Sequence, residues 1–196
     1  AVGSYPKPEN LKEARKKYLK GDLSQEDLLP LEKEATKKWI EIQEDVGLDI
    51  LVDGEMYRGD MAAFFARNLT GFRMSGLVRS YDNRYYRKPV IEGEVRWKDP
   101  ITVKYWQCAQ NLTERPVKGV ITGPYTMMDW SFNEYYPDRE SACMALAEGL
   151  RSEVEALIDA GARIIQIDEP AISARPKELP EFAKDAMDVV TESLDA

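Results

Sequence analysis

The sequence contains no histidine, and this absence excludes a large part of the usual catalytic chemistry. Without an imidazole, the chain itself holds no Ser-His-Asp or Cys-His triad, no histidine zinc motif and no histidine proton shuttle. Cysteine is scarce as well, because only Cys108 and Cys143 are present and they form no CxxC pair. Both lie in stretches that are typical of helices, so we interpret them as reduced, partly buried thiols. The chemistry must then use carboxylates, hydroxyls, cationic side chains or groups supplied from elsewhere.

Long apolar runs and an excess of basic residues are missing too. No stretch is long and apolar enough to span a membrane, and no signal-peptide pattern is recognisable. The 27 basic and 35 acidic residues give a net charge of −8, which disfavours nucleic acid and anionic membranes as partners. We therefore expect a soluble cytoplasmic protein.

What the chain does contain is enough apolar material for one folded unit. Of its 196 residues, 43% are hydrophobic, which rules out wholesale disorder. The length favours one domain, so we expect residues 1–196 to fold as a single unit. Ser24 with Asp27 resembles a capping box at the start of a long helix, and Gly21 and Gly47 are placed to end helices.

Short apolar runs alternate with longer amphipathic stretches, a pattern typical of βαβ units and a parallel sheet. Strands are predicted near residues 1–4, 48–53, 117–122 and 163–168. No GxGxxG or GxxxxGK[ST] motif supports a nucleotide-binding open sheet, so we favour an α/β fold of the (β/α)8 TIM-barrel type. Because such barrels need about 250 residues, this chain is predicted to supply about the first four βα units.

Residues 76–97 break this alternation and are predicted to form a hairpin insertion. Basic and aromatic side chains interleave there, a mixture that suits a planar anionic ligand. A solvated hairpin with ordinary cross-strand pairs is an equally good interpretation. The side chains concerned are Arg79, Tyr81, Arg84, Tyr85, Tyr86, Arg87 and Lys88.

Polar residues follow each predicted strand, where parallel strands place a ligand site. They are Ser4, Glu55, Tyr125, Asp168 and Glu169. Carboxylates in this position could bind an ammonium group, hold a metal ion or exchange protons, or they could simply cap the following loop. Because neighbouring strand residues point to opposite faces, Asp168 and Glu169 should not both face a ligand.

Six short motifs occur in a fixed order, and together they resemble the catalytic barrel of cobalamin-independent methionine synthase up to about residue 171. They are VGSYP (2–6), DGE (53–55), SYDNR (80–84), TGP (122–124), WSF (130–132) and IDEPA (167–171). None of these motifs is specific to the family by itself, but the six of them in this order are.

The resemblance implies a methyltransferase that moves a methyl group from a folate or corrinoid donor to the zinc-bound thiol of homocysteine, giving methionine. It implies that the amino acid contacts Val2, Gly3, Ser4, Glu55 and Asp168. It also implies that Arg84, Tyr85 and Trp130 contact the methyl donor. Zinc bound to the sulfur would stabilise the nucleophilic thiolate in that family.

The resemblance also limits what this chain can supply. The family's zinc ligands follow the IDEP motif on strands beyond this chain, so no metal ligand is expected here, and zinc belongs to the complete protein. The other half of the barrel would come from further chain or from a second copy. Tyr85 stands where the family commonly has cysteine, and the loop after Pro170 lacks the family's folate-contacting glutamate, so folate and corrinoid donors both stay open.

Two other functions are compatible with the sequence. One is a related zinc-dependent thiol alkyltransferase that acts on another small thiol of the coenzyme M type. The other is a non-catalytic half-barrel that binds a ligand or partner through the basic aromatic hairpin.

Overall fold

The computed structural model describes residues 3–79 and 85–192, in which helices surround two small sheets. The helices are α1 (Glu9–Lys20), α2 (Gln25–Asp45), α3 (Met61–Ala66), α4 (Val103–Gln110), α5 (Pro124–Asp129), α6 (Arg139–Asp159) and α7 (Lys184–Thr191). The strands are β1 (Phe72–Arg79), β2 (Tyr85–Ile91), β3 (Gly119–Thr122), β4 (Phe132–Asn133) and β5 (Ile165–Asp168). No helix in this part of the chain has the length and hydropathy needed to cross a membrane.

Helix boundaries follow the capping signals of the sequence. The Ser24 hydroxyl accepts a hydrogen bond from the Asp27 amide at 3.1 Å and begins α2. Gly21 follows α1 in the left-handed conformation, with φ at 84°. Gly47, with φ at 79°, follows α2 in the same way. These helix ends are therefore confirmed.

The parallel sheet is built around β3. Gly119 pairs with Ile165 and Thr122 with Asp168, so β3 and β5 run parallel in direct register. On the other side of the same segment, Leu51 forms a parallel bridge to Val117. The carboxyl ends of all three segments consequently lie at one edge, as expected of an α/β fold.

The predicted strand at 48–53 is shorter in the structure, where Leu51 alone forms a bridge. The reason is the side chain of Gln43 on α2. Its amide donates to the Val52 carbonyl at 2.8 Å and its oxygen accepts from the Val52 amide at 2.9 Å. A side chain thereby satisfies the backbone groups that a neighbouring strand would otherwise pair.

The other strand predictions also shift. The strand near 1–4 lies partly outside the described residues, and Gly3 and Ser4 are not in a strand. The strands predicted at 117–122 and 163–168 begin two residues later, at Gly119 and Ile165. Val117 still forms its bridge to Leu51, and the Lys118 amide donates to the Leu51 carbonyl at 3.0 Å, so this segment is paired first with Leu51 and then with β5.

An antiparallel pair formed by β1 and β2 occupies most of the segment predicted as a hairpin. It begins at Phe72 rather than near residue 76, and its second strand ends at Ile91 rather than continuing toward 97. The register shifts between Met74 and Leu77, around Gly76, so this glycine marks a bulge and not the start of the strand. β4 adds to β2 in parallel, which the sequence did not predict.

The core lies between the parallel sheet and α6, which buries one whole face. A fully buried carboxylate, Glu153, sits within that face. It accepts hydrogen bonds from Trp97 Nε1 and from the amides of Ile101 and Thr102, at 2.7 to 2.8 Å. The Thr102 hydroxyl adds a fourth, at 2.7 Å. Glu153 thus fixes the loop that enters α4 against α6.

Candidate functional site

The tight turn after Val52 carries the most buried candidate carboxylate. Gly54 and Glu55 both adopt left-handed backbone conformations, with φ at 70° and 59°. Glu55 is the only non-glycine residue in the described part of the chain with positive φ. The Asp53 side chain stabilises the turn, because its Oδ1 accepts from the Glu55 amide at 2.8 Å. A left-handed glutamate costs roughly 1–3 kcal/mol, and such strain is concentrated at functional sites.

Glu55 is held by an arginine that the sequence analysis did not single out. Arg58 Nη2 donates to Glu55 Oε1 at 2.5 Å, and the Arg58 side chain is 0% exposed. Its Nε and Nη1 atoms have no hydrogen-bond partner among the residues described. In the sequence, Arg58 could have been identified only from its position three residues after Glu55, the carboxylate that follows the predicted strand. One side of the Glu55 carboxylate is therefore fixed from within the chain.

The N-terminal segment lies directly against this turn. The Tyr5 amide donates to the Gly54 carbonyl at 3.1 Å. Its ring packs on Trp39 of α2, with centroids 4.6 Å apart. These contacts bring Ser4 beside the turn that carries Glu55, as the position of both after predicted strands suggested. Val2, the other N-terminal residue predicted to contact the amino acid, lies outside the described residues.

Lys7 is a further charged residue on the N-terminal segment, close to Ser4. Its Nζ donates to the Ser4 hydroxyl at 3.1 Å. Burial, followed by the repulsion of Arg15, lowers the pKa of Lys7, although the Glu55 carboxylate partly opposes this. The sequence analysis did not identify Lys7, because a lysine in a charged N-terminal stretch has no distinguishing pattern.

Asp168 and Glu169, at the end of β5, have different environments. Both carboxylate oxygens of Glu169 accept amide hydrogens at the start of α5, from Tyr125 at 2.8 Å and Thr126 at 2.6 Å. Burial raises the pKa of Glu169, while these hydrogen bonds oppose the shift. Glu169 is therefore a helix cap. Asp168 accepts from Gln166 Nε2 at 2.5 Å and remains half-buried at the sheet edge, separated from Glu55 by β3.

The residues predicted to contact the methyl donor are dispersed. Trp130 directly follows α5 and is half-buried against the core. Tyr85 is 61% exposed at the beginning of β2, where it pairs with Arg79. Val90, at the other end of β2, pairs with Phe132, so Tyr85 lies about 16 Å along the strand from the neighbourhood of Trp130. Arg84 lies outside the described residues.

The described residues do not fit a zinc ion. No group of three or more His, Cys, Asp or Glu side chains within 3–79 and 85–192 is arranged to hold a metal. Cys143 is buried in α6, where burial raises the pKa of its thiol to about 12. Cys108 lies half-buried on α4, where burial raises the pKa of its thiol. The donor set lacks the imidazole and thiolate groups that zinc prefers.

We expect the 196-residue chain to bind zinc more weakly than a Kd of about 1 µM, because no three donor side chains in its described part are arranged to hold the ion. Competition with a chromophoric zinc chelator measures this affinity. A Cys108→Ser, Cys143→Ser double variant is the control, and it should bind zinc as weakly as the parent chain. Nanomolar affinity that the double variant loses would contradict the prediction.

Comparison with known proteins shows that the sequence is similar to one family. Residues 1–189 match the family described as the catalytic domain of cobalamin-independent synthase. The chain is 47% identical over 173 residues to the 5-methyltetrahydropteroyltriglutamate–homocysteine methyltransferase of Bacillus licheniformis. It is equally similar to the protein of that name from Thermotoga maritima. Each match covers 87% of this chain but 23% of the relative, so the chain spans less than a quarter of their length.

Solved structures of two similar proteins share the fold of this chain. A B12-independent methionine synthase from Shewanella, in complex with selenomethionine, is 27% identical with a TM-score of 0.78. That match covers 87% of this chain and 51% of the other. A putative vitamin-B12-independent methionine synthase from Listeria monocytogenes is 24% identical, with a TM-score of 0.79, and shares the fold over 97% of this chain and 59% of its own.

Proposed function

The chain belongs to the family of cobalamin-independent synthase catalytic domains, and from this membership we propose that the complete protein transfers a methyl group to the thiol of homocysteine, giving methionine. The donor is a folate or a methyl-corrinoid protein. Within that protein, residues 1–196 supply one domain that contributes about the first four βα units and the hairpin of a TIM barrel. The other half of the barrel comes from further chain or a second copy.

The observation that carries this proposal is the buried carboxylate of Glu55. Arg58 occupies Oε1, which leaves Oε2 to accept hydrogen bonds from the ammonium group of an amino acid. Asp168, at the same edge of the sheet, offers a second carboxylate for that group. Gly3 and Ser4 directly precede Tyr5, whose amide attaches this segment to the Glu55 turn, and we assign them, together with Val2, to the carboxylate of the same amino acid, which amides and a hydroxyl suit. These residues bind and orient homocysteine.

Zinc belongs to the complete protein in this proposal, held by ligands outside this chain. The residues of this chain position the amino acid and the methyl donor only. Arg84, Tyr85 and Trp130 form the donor side of the site, and Tyr85 comes close to Trp130 only if the hairpin bends toward the barrel. The name of the bacterial relatives, which includes pteroyltriglutamate, supports a folate donor.

The test is methionine formation by the full-length protein. Homocysteine is supplied with either 5-methyltetrahydropteroyltriglutamate or a methyl-corrinoid protein, and product is measured by mass spectrometry. Methionine formed with either donor supports the proposal and identifies the donor. Methyl transfer to coenzyme M but not to homocysteine would replace it with the related thiol alkyltransferase. Absence of transfer to either thiol would leave a ligand-binding role.

A further inference from the structure

The N-terminal segment holds a cation beside the proposed amino-acid site. Lys7 lies between Pro6 and Pro8, just ahead of α1. Both prolines restrict the backbone here, because each fixes its own φ and Pro8 also disfavours the helical conformation for Lys7. The Pro6 carbonyl accepts a hydrogen bond from Trp39 Nε1 at 3.1 Å, which attaches the segment to α2. The backbone of Lys7 is therefore held in place.

The ammonium group of Lys7 contacts Ser4, three residues earlier in the chain. Its Nζ donates to the Ser4 hydroxyl at 3.1 Å. Within residues 3–79 and 85–192, no carboxylate forms an ion pair with Lys7, because Glu55 Oε1 is taken by Arg58. An ammonium group has three hydrogens, so two of them remain for a ligand. Lys7 is also half-buried, and solvent screens a counter-ion there less than at a fully exposed lysine.

The contact with Lys7 also determines what the Ser4 hydroxyl can do. Because this hydroxyl accepts a hydrogen bond from Lys7, its own hydrogen is left to donate. Ser4 is exposed, so that hydrogen can reach a ligand. An ammonium group and a hydroxyl therefore lie next to each other as donors, and a carboxylate with two oxygens can accept from both.

The neighbouring arginines are already engaged. Arg58 is fully buried and binds Glu55 at 2.5 Å. Arg15, on α1, has a side chain that is 15% exposed and binds Glu32 at 2.8 Å. The charges of both arginines and of Glu55 act on Lys7, so Lys7 belongs to the same group of charges. Lys7 is thus the cation of this group that a ligand can reach.

We infer that Lys7, together with the Ser4 hydroxyl, binds the carboxylate of the amino acid and makes the site selective for α-amino acids over simple amines. This inference rests on the proposed function, which places the ammonium group of the amino acid at Glu55 and Asp168. The two charged groups of an α-amino acid are attached to one carbon atom, so their partners must lie close together. The hydrogen bond from the Tyr5 amide to the Gly54 carbonyl brings the segment of Lys7 and the turn of Glu55 together.

The experiment compares two ligands that differ only in the carboxylate. Isothermal titration calorimetry of the full-length protein gives the Kd of methionine and of methylthiopropylamine, which is methionine without its carboxylate. The ratio of the two Kd values is the carboxylate preference. Lys7→Gln is expected to reduce this preference about tenfold, because a neutral hydrogen bond replaces a charge-assisted one. The Kd of the amine should stay unchanged, and Lys7→Arg, which keeps the positive charge, should keep most of the preference.

Lys16→Gln is the matched control, since Lys16 is an exposed lysine on α1. It should leave both Kd values unchanged. A preference that Lys7→Gln does not reduce would overturn the inference, and so would an equal weakening of both ligands, which would indicate a structural role. In both cases methionine formation by the wild type would leave the proposed function standing. A Lys7-dependent preference without methionine formation would instead support the inference and contradict the proposed function.

Discussion

Glu55→Gln is expected to weaken the binding of methionine or homocysteine to the full-length protein by about 10- to 100-fold. A charge-assisted hydrogen bond to the amino-acid ammonium contributes about 1.5–3 kcal/mol, and an amide in its place supplies no negative charge. The geometry concentrates this effect, because Arg58 and the strained turn hold the carboxylate in one position. Calorimetric titration with methionine measures it without turnover. Asp168→Asn should weaken binding in the same direction.

The experiment must separate a loss of binding from a loss of stability, because Glu55→Gln leaves the buried guanidinium of Arg58 without the carboxylate it binds. That loss alone is expected to lower the free energy of unfolding by about 3–5 kcal/mol. A Glu55→Gln, Arg58→Met double variant should recover stability but not binding. Glu41→Gln, at an exposed position on α2, is the neutral control. Tight binding that ignores both Glu55→Gln and Asp168→Asn would place the amino-acid site elsewhere.

Glu153→Gln is expected to lower the free energy of unfolding by about 3–5 kcal/mol. The Glu153 carboxylate accepts four hydrogen bonds in the core, at 2.7 to 2.8 Å. In glutamine, one of the two acceptor oxygens becomes an NH2 group that faces donors, which leaves buried amide and hydroxyl groups unpaired. Urea unfolding of the full-length protein, followed by circular dichroism, gives the change.

Glu148→Gln on the same helix provides the control. Glu148 is exposed and forms only a surface ion pair with Arg151, at 3.3 Å. Its replacement should change stability by less than about 1 kcal/mol. Equal effects of the two substitutions would show that Glu153 does not anchor the loop that enters α4.

The sequence predicted the parallel arrangement well, because buried strands combine apolar runs with helices on either side. Runs ending in Thr122 and Asp168 became adjacent strands in register. The same reasoning placed Glu55 after a strand, since a DGE turn directly follows the run that contains Leu51. These features depend on local pattern, and local pattern is visible in one sequence.

Contacts between distant side chains could not be predicted in this way. Gln43 reads as an ordinary polar helix residue, yet its amide pairs with the backbone of Val52. Glu169 looked as suitable for a ligand as Asp168, but the proximity of β3 and β5 turns it toward the start of α5. Nothing in the sequence pattern indicates that Arg58 is buried, because arginine side chains are usually exposed. Each role depends on tertiary neighbours that periodicity does not reveal.

The amide of Gln43 also bears on aggregation. A strand edge with free backbone groups is a template for another molecule, and proteins protect such edges to avoid intermolecular sheets. At Val52 those groups are already engaged by Gln43, so an incoming strand would first have to displace a buried side chain. No strand in the described residues pairs with the far side of β5, which is the edge where the proposed second half of the barrel would join. Gln43 therefore protects the Val52 edge of the sheet against association through β-strands.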